Sequence, residues 1–150
     1  MARGVRRFLY DTSIFVYALG GQHPYREPCR EIVKRAAAGE LQGEGSVDLL
    51  QELLHQRLRR TGDRAAAAKS VRKVAKLVWW HPLEIDDVQR GIDLSEAHAE
   101  LDPRDSVFAA LALNRGIGAI LSADRAFDEV GGLDRIDPAD SRGVASLAGG

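Results

Sequence analysis

Cys29 is the only cysteine in 150 residues. That excludes an intramolecular disulfide and a cysteine-rich zinc site, and leaves the thiol the expected role of a small core residue. No stretch approaches the run of about 18 apolar residues that a membrane-crossing helix needs, so no membrane partner is expected. The N-terminal "MARGVRRFLYDTS" has too short an apolar part, and reaches Asp11 too soon, to be read as a signal peptide; the cytoplasm is the expected compartment. The histidines His23, His55, His81 and His98 show no metal-ligand spacing, and His55 is expected in a surface or core role although it follows Glu52 by one helical turn. A strong basic excess is also missing: 21 Lys and Arg stand against 22 Asp and Glu, where a nucleic-acid binder usually shows a basic footprint. Net charge misleads if acids are gathered in one place. With four of them in one pocket, the remaining surface carries 18 acids against 21 basic residues, which permits a polyanionic partner.

What is present suits one compact domain: 45% hydrophobic and 29% charged residues, in a chain long enough to bury a core. The domain is expected over residues 1–137, with the Gly-rich, small-residue stretch 138–150, which follows the first residue of "DPADSRGVASLAGG", as a frayed, flexible tail. Apolar periodicity alternates between short strands and longer helices. Strands are expected at "RFLYDT" from Arg7, weakly at "LQGEGSV" from Leu41, at "VWWHPLEI" from Val78, at "GAILSA" from Gly118 and at "LDRID" from Leu133. Helical segments fall at Tyr25 to Ala38, Val47 to Arg60, Arg64 to Leu77, Asp86 to Glu100 and Pro103 to Asn114. "RTGD" separates the second and third of these into a helical hairpin. Such alternation predicts an α/β layer with a mostly parallel sheet.

Ligands of open α/β sheets sit beyond the carboxyl ends of the strands. Asp11 closes "FLYD" and Asp124 closes "AILSAD", so parallel strands would deliver both to one edge. A helix N-cap is the plain alternative for Asp124; for Asp11 it is weaker, because Ser13 can cap without a charge among Tyr10, Ile14 and Phe15. In "SVDLLQELLHQRL", Glu52 lies just off the edge of the leucine face, where it looks into a cleft as easily as into water. In "LDPRDSVFAALALNRG", Asp102, Pro103 and Asp105 suit N-cap, N1 and N3 of a helix buried on all sides, which leaves Asp105 open to a capping role, a functional one or both. Four converging carboxylates would repel by about 4 kcal/mol per close pair at an effective dielectric near 20. A cation is therefore required, and an all-oxygen donor set points to Mg²⁺ or Mn²⁺.

"FLYDTSIFVYAL", "SVDLLQELLHQRL", "DPRDSVFAALALNRG" and "ILSADRAFDEV", in that order, resemble the motifs of PIN-domain nucleases, especially the VapC toxins of type II toxin-antitoxin pairs. The resemblance runs from Phe8 to about Asp137. It implies a PIN-like three-layer sandwich, a central mostly parallel sheet of four or five strands flanked by helices. It also implies that Asp11, Glu52, Asp105 and Asp124 are catalytic, metal-binding acids, that Asp128 is an accessory ligand, and that Ser13 and Ser122 support the first and last aspartates. The implied reaction is Mg²⁺- or Mn²⁺-dependent hydrolysis of RNA phosphodiesters, leaving a 5′-phosphate and a 3′-hydroxyl. The implied partners are RNA, a second copy of the chain, and a VapB-type antitoxin whose C-terminal segment presents arginine near the acids, in a groove lined by residues near Tyr17 and Leu54.

Cations available for RNA are Arg3, Arg6 and Arg7, Arg57, Arg59, Arg60 and Arg64 in the hairpin, and Lys69, Arg72, Lys73 and Lys76 on the helix that follows; a solvated face is the plain alternative. Trp79 and Trp80 alternate as in a strand, one facing the core and the other outward or in a subunit contact. Other readings remain beside this one. A phosphotransfer or receiver domain also starts with a strand-end aspartate, but it expects a late lysine and none occurs after Lys76. A non-catalytic RNA- or protein-binding module would use the acids as caps. An RNA-processing nuclease without a toxin role is disfavoured by the chain's small size.

Overall fold

The computed structural model describes residues 6–149, so Arg3 lies outside the described residues. Strand β1 (Leu9–Tyr10) is central. Phe8, Leu9 and Tyr10 are all at most 1% exposed, as a strand covered on both faces requires of a continuous apolar run. Beside it lie β2 (Glu44–Ser46) and β3 (Trp79–His81) on one side, β4 (Ala119–Leu121) and β5 (Asp134–Ile136) on the other. The order is β3-β2-β1-β4-β5 and every pairing is parallel. The five strands fall inside the five expected stretches, although each is only two or three residues long.

The flanking helices are α1 (Thr12–Leu19), α2 (Arg26–Ala37), α3 (Val47–Thr61), α4 (Arg64–Ala75), α5 (Ile85–Ala97) and α6 (Pro103–Asn114), with a 3₁₀ turn over Arg125–Glu129. Ser46 caps α3 and Asp63 caps α4. Between them Gly62 takes φ +64°, the left-handed turn that lets α3 end and the hairpin reverse. Helices α5 and α6 cross closely: a Cβ at Gly91 would stand 2.8 Å from Cγ2 of Val107. The run Phe108–Ala112 on α6 is almost wholly buried, as its lack of a polar face implied.

The C-terminal stretch departs from the flexible tail expected over 138–150. Residues Ser141–Ala145 form helix α7, capped by Asp140, and Val144 and Leu147 are 4% and 0% exposed. Val144 in the helix and Leu147 in the turn after it, three apart, dock this end of the chain on the core. Their signal was hidden among glycines and alanines.

The chain runs outward from β1 to β3, then returns across β1 to form β4 and β5. The direction of winding therefore reverses between β1 and β4, and the carboxyl ends of those two strands frame the crevice where such sheets place their ligands.

Candidate active site

Asp11 leaves β1 at that crevice and is 4% exposed. It stands at the N-cap position of α1, yet its side chain makes no cap hydrogen bond. Its Oδ2 instead accepts from the Ser122 hydroxyl at 2.7 Å. The same Ser122 oxygen accepts from the Asp124 N–H at 3.0 Å, so one fully buried hydroxyl ties the ends of β1 and β4 together. Ser13 accepts from the Ala123 N–H at 3.4 Å, a second tie between the same two loops. Burial pushes the Asp11 carboxyl above the ordinary carboxylate range, and hydrogen bonds from Ser13 and Ser122 pull it part of the way back.

Asp105 occupies N3 of α6 and is half-buried. Asp102 holds the N-cap position, accepting from the Arg104 N–H at 2.9 Å, so the cap is satisfied without Asp105. Burial, followed by the neighbouring charges of Asp11, Asp124 and Asp102, pushes the Asp105 carboxyl up to about 8. Asp124 is exposed and caps the 3₁₀ turn through the Ala126 N–H at 2.9 Å. It is thus a cap and a member of the acidic group at once.

Glu52, on α3, is placed differently. Its Oε2 accepts from the Thr12 hydroxyl at 3.1 Å, and its Oε1 lies 3.2 Å from Arg104 Nη1. All four expected acids nevertheless line a single open cavity of about 900 Å³, together with Ser13, His55 and Asp102. Among the described residues no three acids, histidines or cysteines are already spaced as ligands of one ion, and both Glu52 oxygens are engaged, by Thr12 and Arg104. Asp128 does not join the group. Arg135 binds its carboxylate with both Nε (2.8 Å) and Nη2 (3.3 Å), and it does not line the cavity, so the structure gives no support to an accessory-ligand role.

Thr12 and Arg104 were not singled out by the sequence. Arg104 stands between two acids in "DPRD", but only the approach of α3 to α6 gives it Glu52 as partner. Arg59, Arg60 and Arg125 line the same cavity and bring positive charge into the neighbourhood of the acids. Arg6 and Arg7 serve elsewhere, paired with Asp134 at 2.6 Å and with Glu44 at 2.7 Å at the amino end of the sheet. Arg64, Lys69, Arg72 and Lys73 do not line the cavity, and Lys76 lines a separate pocket with Arg7 and Trp79. Trp80 is half-buried, its indole donating to the Ala75 carbonyl at 2.9 Å, while Trp79 is 72% exposed on the edge strand.

Asp105, raised by burial and by the charges of Asp11 and Asp124, and Asp11, fixed by hydroxyls and backbone rather than by a guanidinium, form with Asp124 a site short of positive charge. Hard oxygen donors in that state fit a divalent ion such as Mg²⁺ or Mn²⁺. Arginines lining the cavity beside the acids are in turn suited to a phosphate-bearing chain.

The PIN domain family model matches residues 8–133. Ribonuclease VapC7 of Mycobacterium tuberculosis is 33% identical over 141 residues, covering 93% of this chain and 96% of that protein. Ribonuclease VapC23 of the same species is 31% identical over 114 residues, 76% of this chain and 90% of that protein. Among solved structures, the sarcin-ricin-loop-cleaving toxin VapC20 of M. tuberculosis matches with TM-score 0.66 and 20% identity over 83% of this chain and 95% of that one. DNA-bound VapBC of Salmonella typhimurium matches with TM-score 0.67 and 18% identity over 89% and 99%. The fold and the sequence agree: this chain belongs to the PIN domain family.

Proposed function

We propose that the chain is a metal-dependent endoribonuclease and the toxin of a toxin-antitoxin pair, acting on cytoplasmic RNA to stop translation and growth. The observation that carries this reading is the buried Asp11, held by hydroxyls but by no cation, beside Asp105 and Asp124 at the β1/β4 crevice, in a cavity that arginines also line. Its relatives named as VapC ribonucleases support the class of reaction. Asp11, Asp105, Asp124 and Glu52 would hold Mg²⁺ or Mn²⁺, which when bound supplies a Lewis acid for the phosphate and activates water for in-line attack. The protein's own part is positional and electrostatic. Ser122 and Ser13 fix the two loops that aim Asp11 and Asp124. Arg59, Arg60 and Arg125 neutralise the phosphates on either side of the scissile bond.

A module whose acids are only caps fits Asp102 and Asp124 but leaves the burial of Asp11 and the strain on Asp105 without a purpose. Sequencing RNA ends after brief expression of wild type and Asp11→Ala in parallel tests the reading. New ends bearing 5′-phosphates are expected with wild type alone, and identical cut sites from both proteins would refute the assignment.

Two protein partners belong to this reading. An antitoxin arginine is favoured by the way Arg104 already meets Glu52 at 3.2 Å: the cavity accepts a guanidinium. A homodimer is favoured by two apolar pairs seven residues apart on single helix faces, Val47 with Leu54 and Ile85 with Ile92, each 41% to 69% exposed. Purification alone and with a coexpressed antitoxin, read by light scattering, should give a dimer whose mass Ile92→Glu halves, and a complex that no longer cuts RNA. Monomers throughout, or an antitoxin that passes through unbound, would remove the corresponding partner.

A further inference from the structure

One end of the acidic cavity opens onto a smaller cleft of about 200 Å³ that hydrolysis itself does not use. Val16, Tyr17, Gln56 and Arg60 line both spaces. The cleft adds Arg57 and the turn from Gly20 to His23. Its aromatic wall is built and held. The Tyr17 and His23 rings stack with centroids 4.4 Å apart and planes 26° from parallel, and Tyr25 packs beside both, 5.9 Å from His23 at 16° and 5.4 Å from Tyr17 at 38°. His23 Nδ1 accepts from the Tyr25 N–H at 3.1 Å, and the Tyr25 hydroxyl donates to Asp137 at 2.8 Å, so the rings are oriented before any ligand arrives.

The polar lining is incomplete in a telling way. Gln56 Oε1 and Arg57 Nε, on adjacent residues of α3, are buried without a hydrogen-bond partner. Burying an acceptor or a donor unpaired is costly, and the cost is recovered when a ligand supplies the complement. One acceptor and one donor beside a stacked pair of rings are complementary to the edge and face of a nucleobase, where an exocyclic amine lies next to a ring nitrogen or carbonyl. A peptide segment would satisfy the polar atoms but leave the stacking wall without a flat partner.

We propose that this cleft is a nucleobase subsite, taking one unpaired base of the RNA strand whose adjoining phosphate lies at the acids. The base stacks on the Tyr17–His23 pair, Gln56 and Arg57 bond its edge, and Arg60 meets the phosphate between the two spaces. The inference rests on the endoribonuclease reading and sharpens it. A base held inside a duplex cannot turn into the cleft, so the preferred substrates are single-stranded segments and loops.

The test uses the full chain and short single-stranded RNAs of one cleavable sequence, with an abasic residue or 2-aminopurine at each position in turn. For wild type, an abasic residue at one position flanking the cut should slow cleavage about tenfold, the usual worth of one stacked base. Tyr17→Leu and Gln56→Leu should slow cleavage of the intact RNA and abolish that position's penalty. In the Asp11→Asn protein, 2-aminopurine at the same position should be quenched, and His23→Ala, at an exposed residue, should weaken the quench without lowering the melting temperature. A penalty spread evenly along the strand, or a quench that survives both His23→Ala and Gln56→Leu, would overturn the subsite while leaving the nuclease intact. If no RNA is cut yet the position-specific quench appears, the nuclease reading fails and the subsite stands. Variants that keep RNA cleavage and quench but lose a copurifying antitoxin would assign the cleft to a protein partner and refute the proposal.

Discussion

Two aspartates of this protein are almost equally hidden, Asp11 at 4% exposed and Asp87 at 1%, and they are treated in opposite ways. Asp87 joins α5 to α6. It accepts from Arg115 at 2.8 Å, from the Asn114 amide at 2.9 Å and from the Glu84 N–H at 2.9 Å, so every polar atom has a partner. Burial acts to raise its carboxyl, but Arg115, the Glu84 N–H and Asn114 outweigh it and hold the group below its ordinary range. Asp11 receives hydroxyls but no guanidinium, and its carboxyl is raised. A buried carboxylate with its cation built in stabilises a helix junction; one left without a cation is available to bind one. The same contrast separates Asp128, neutralised by Arg135, from Asp105, which burial and the charges of Asp11, Asp124 and Asp102 all raise.

Exchanging the two aspartates' roles should give the largest effect. Asp11→Asn is expected to lower RNA cleavage by about a thousandfold or more with no loss of stability. Asp87→Ala, by stranding Arg115, should cost about 3 kcal/mol yet leave the activity per folded molecule unchanged. Denaturant titration beside a cleavage assay checks both, and an Asp87 variant that was stable but inactive would break the comparison.

The two groups should also answer pH with opposite signs. Asp105, whose folded carboxyl titrates at about 8 against an ordinary 3.8, keeps its proton when the unfolded chain has lost it. The ion-free protein should therefore lose stability as pH rises from about 4 to about 8, and Asp11 acts in the same direction. Asp87, with a lowered carboxyl, contributes stability at neutral pH that disappears as pH falls below the ordinary aspartate range. Melting temperature followed from pH 4 to 8 in EDTA should decline, Asp105→Asn should flatten the decline, and Mn²⁺ should cancel it. A rising curve in EDTA would contradict the assignment of Asp105 as the uncompensated acid.

The smallest effect concerns Arg104, whose exposed side chain competes for Glu52. Arg104→Gln should change stability by less than about 0.5 kcal/mol and tighten Mn²⁺ binding a few-fold in calorimetry. Looser binding would mean that the guanidinium helps to organise the acids.

Much of this could be read from the chain. "FLYD" and "AILSAD" announce buried strands ending in acid, and parallel pairing then puts both acids at one edge. "DPRD" announces a capped helix, and the structure assigns the cap to Asp102. Other features carried no local signal. Glu52 on a helix edge reads the same whether it meets water or Arg104, and Asp87 in "LEIDDVQ" reads as an ordinary first-turn acid although it is sealed against Arg115. Val144 and Leu147 were masked by small neighbours.

Local order along the chain, the alternation of strand and helix and the residue that ends each strand, is set by short-range patterning of side chains, and the sequence alone determines it. Which carboxylate receives a guanidinium and which is left to find its cation outside the protein depends on helices that meet across dozens of residues. Only the tertiary structure decides that, because charge compensation acts over a few ångströms in space and is blind to separation along the polypeptide.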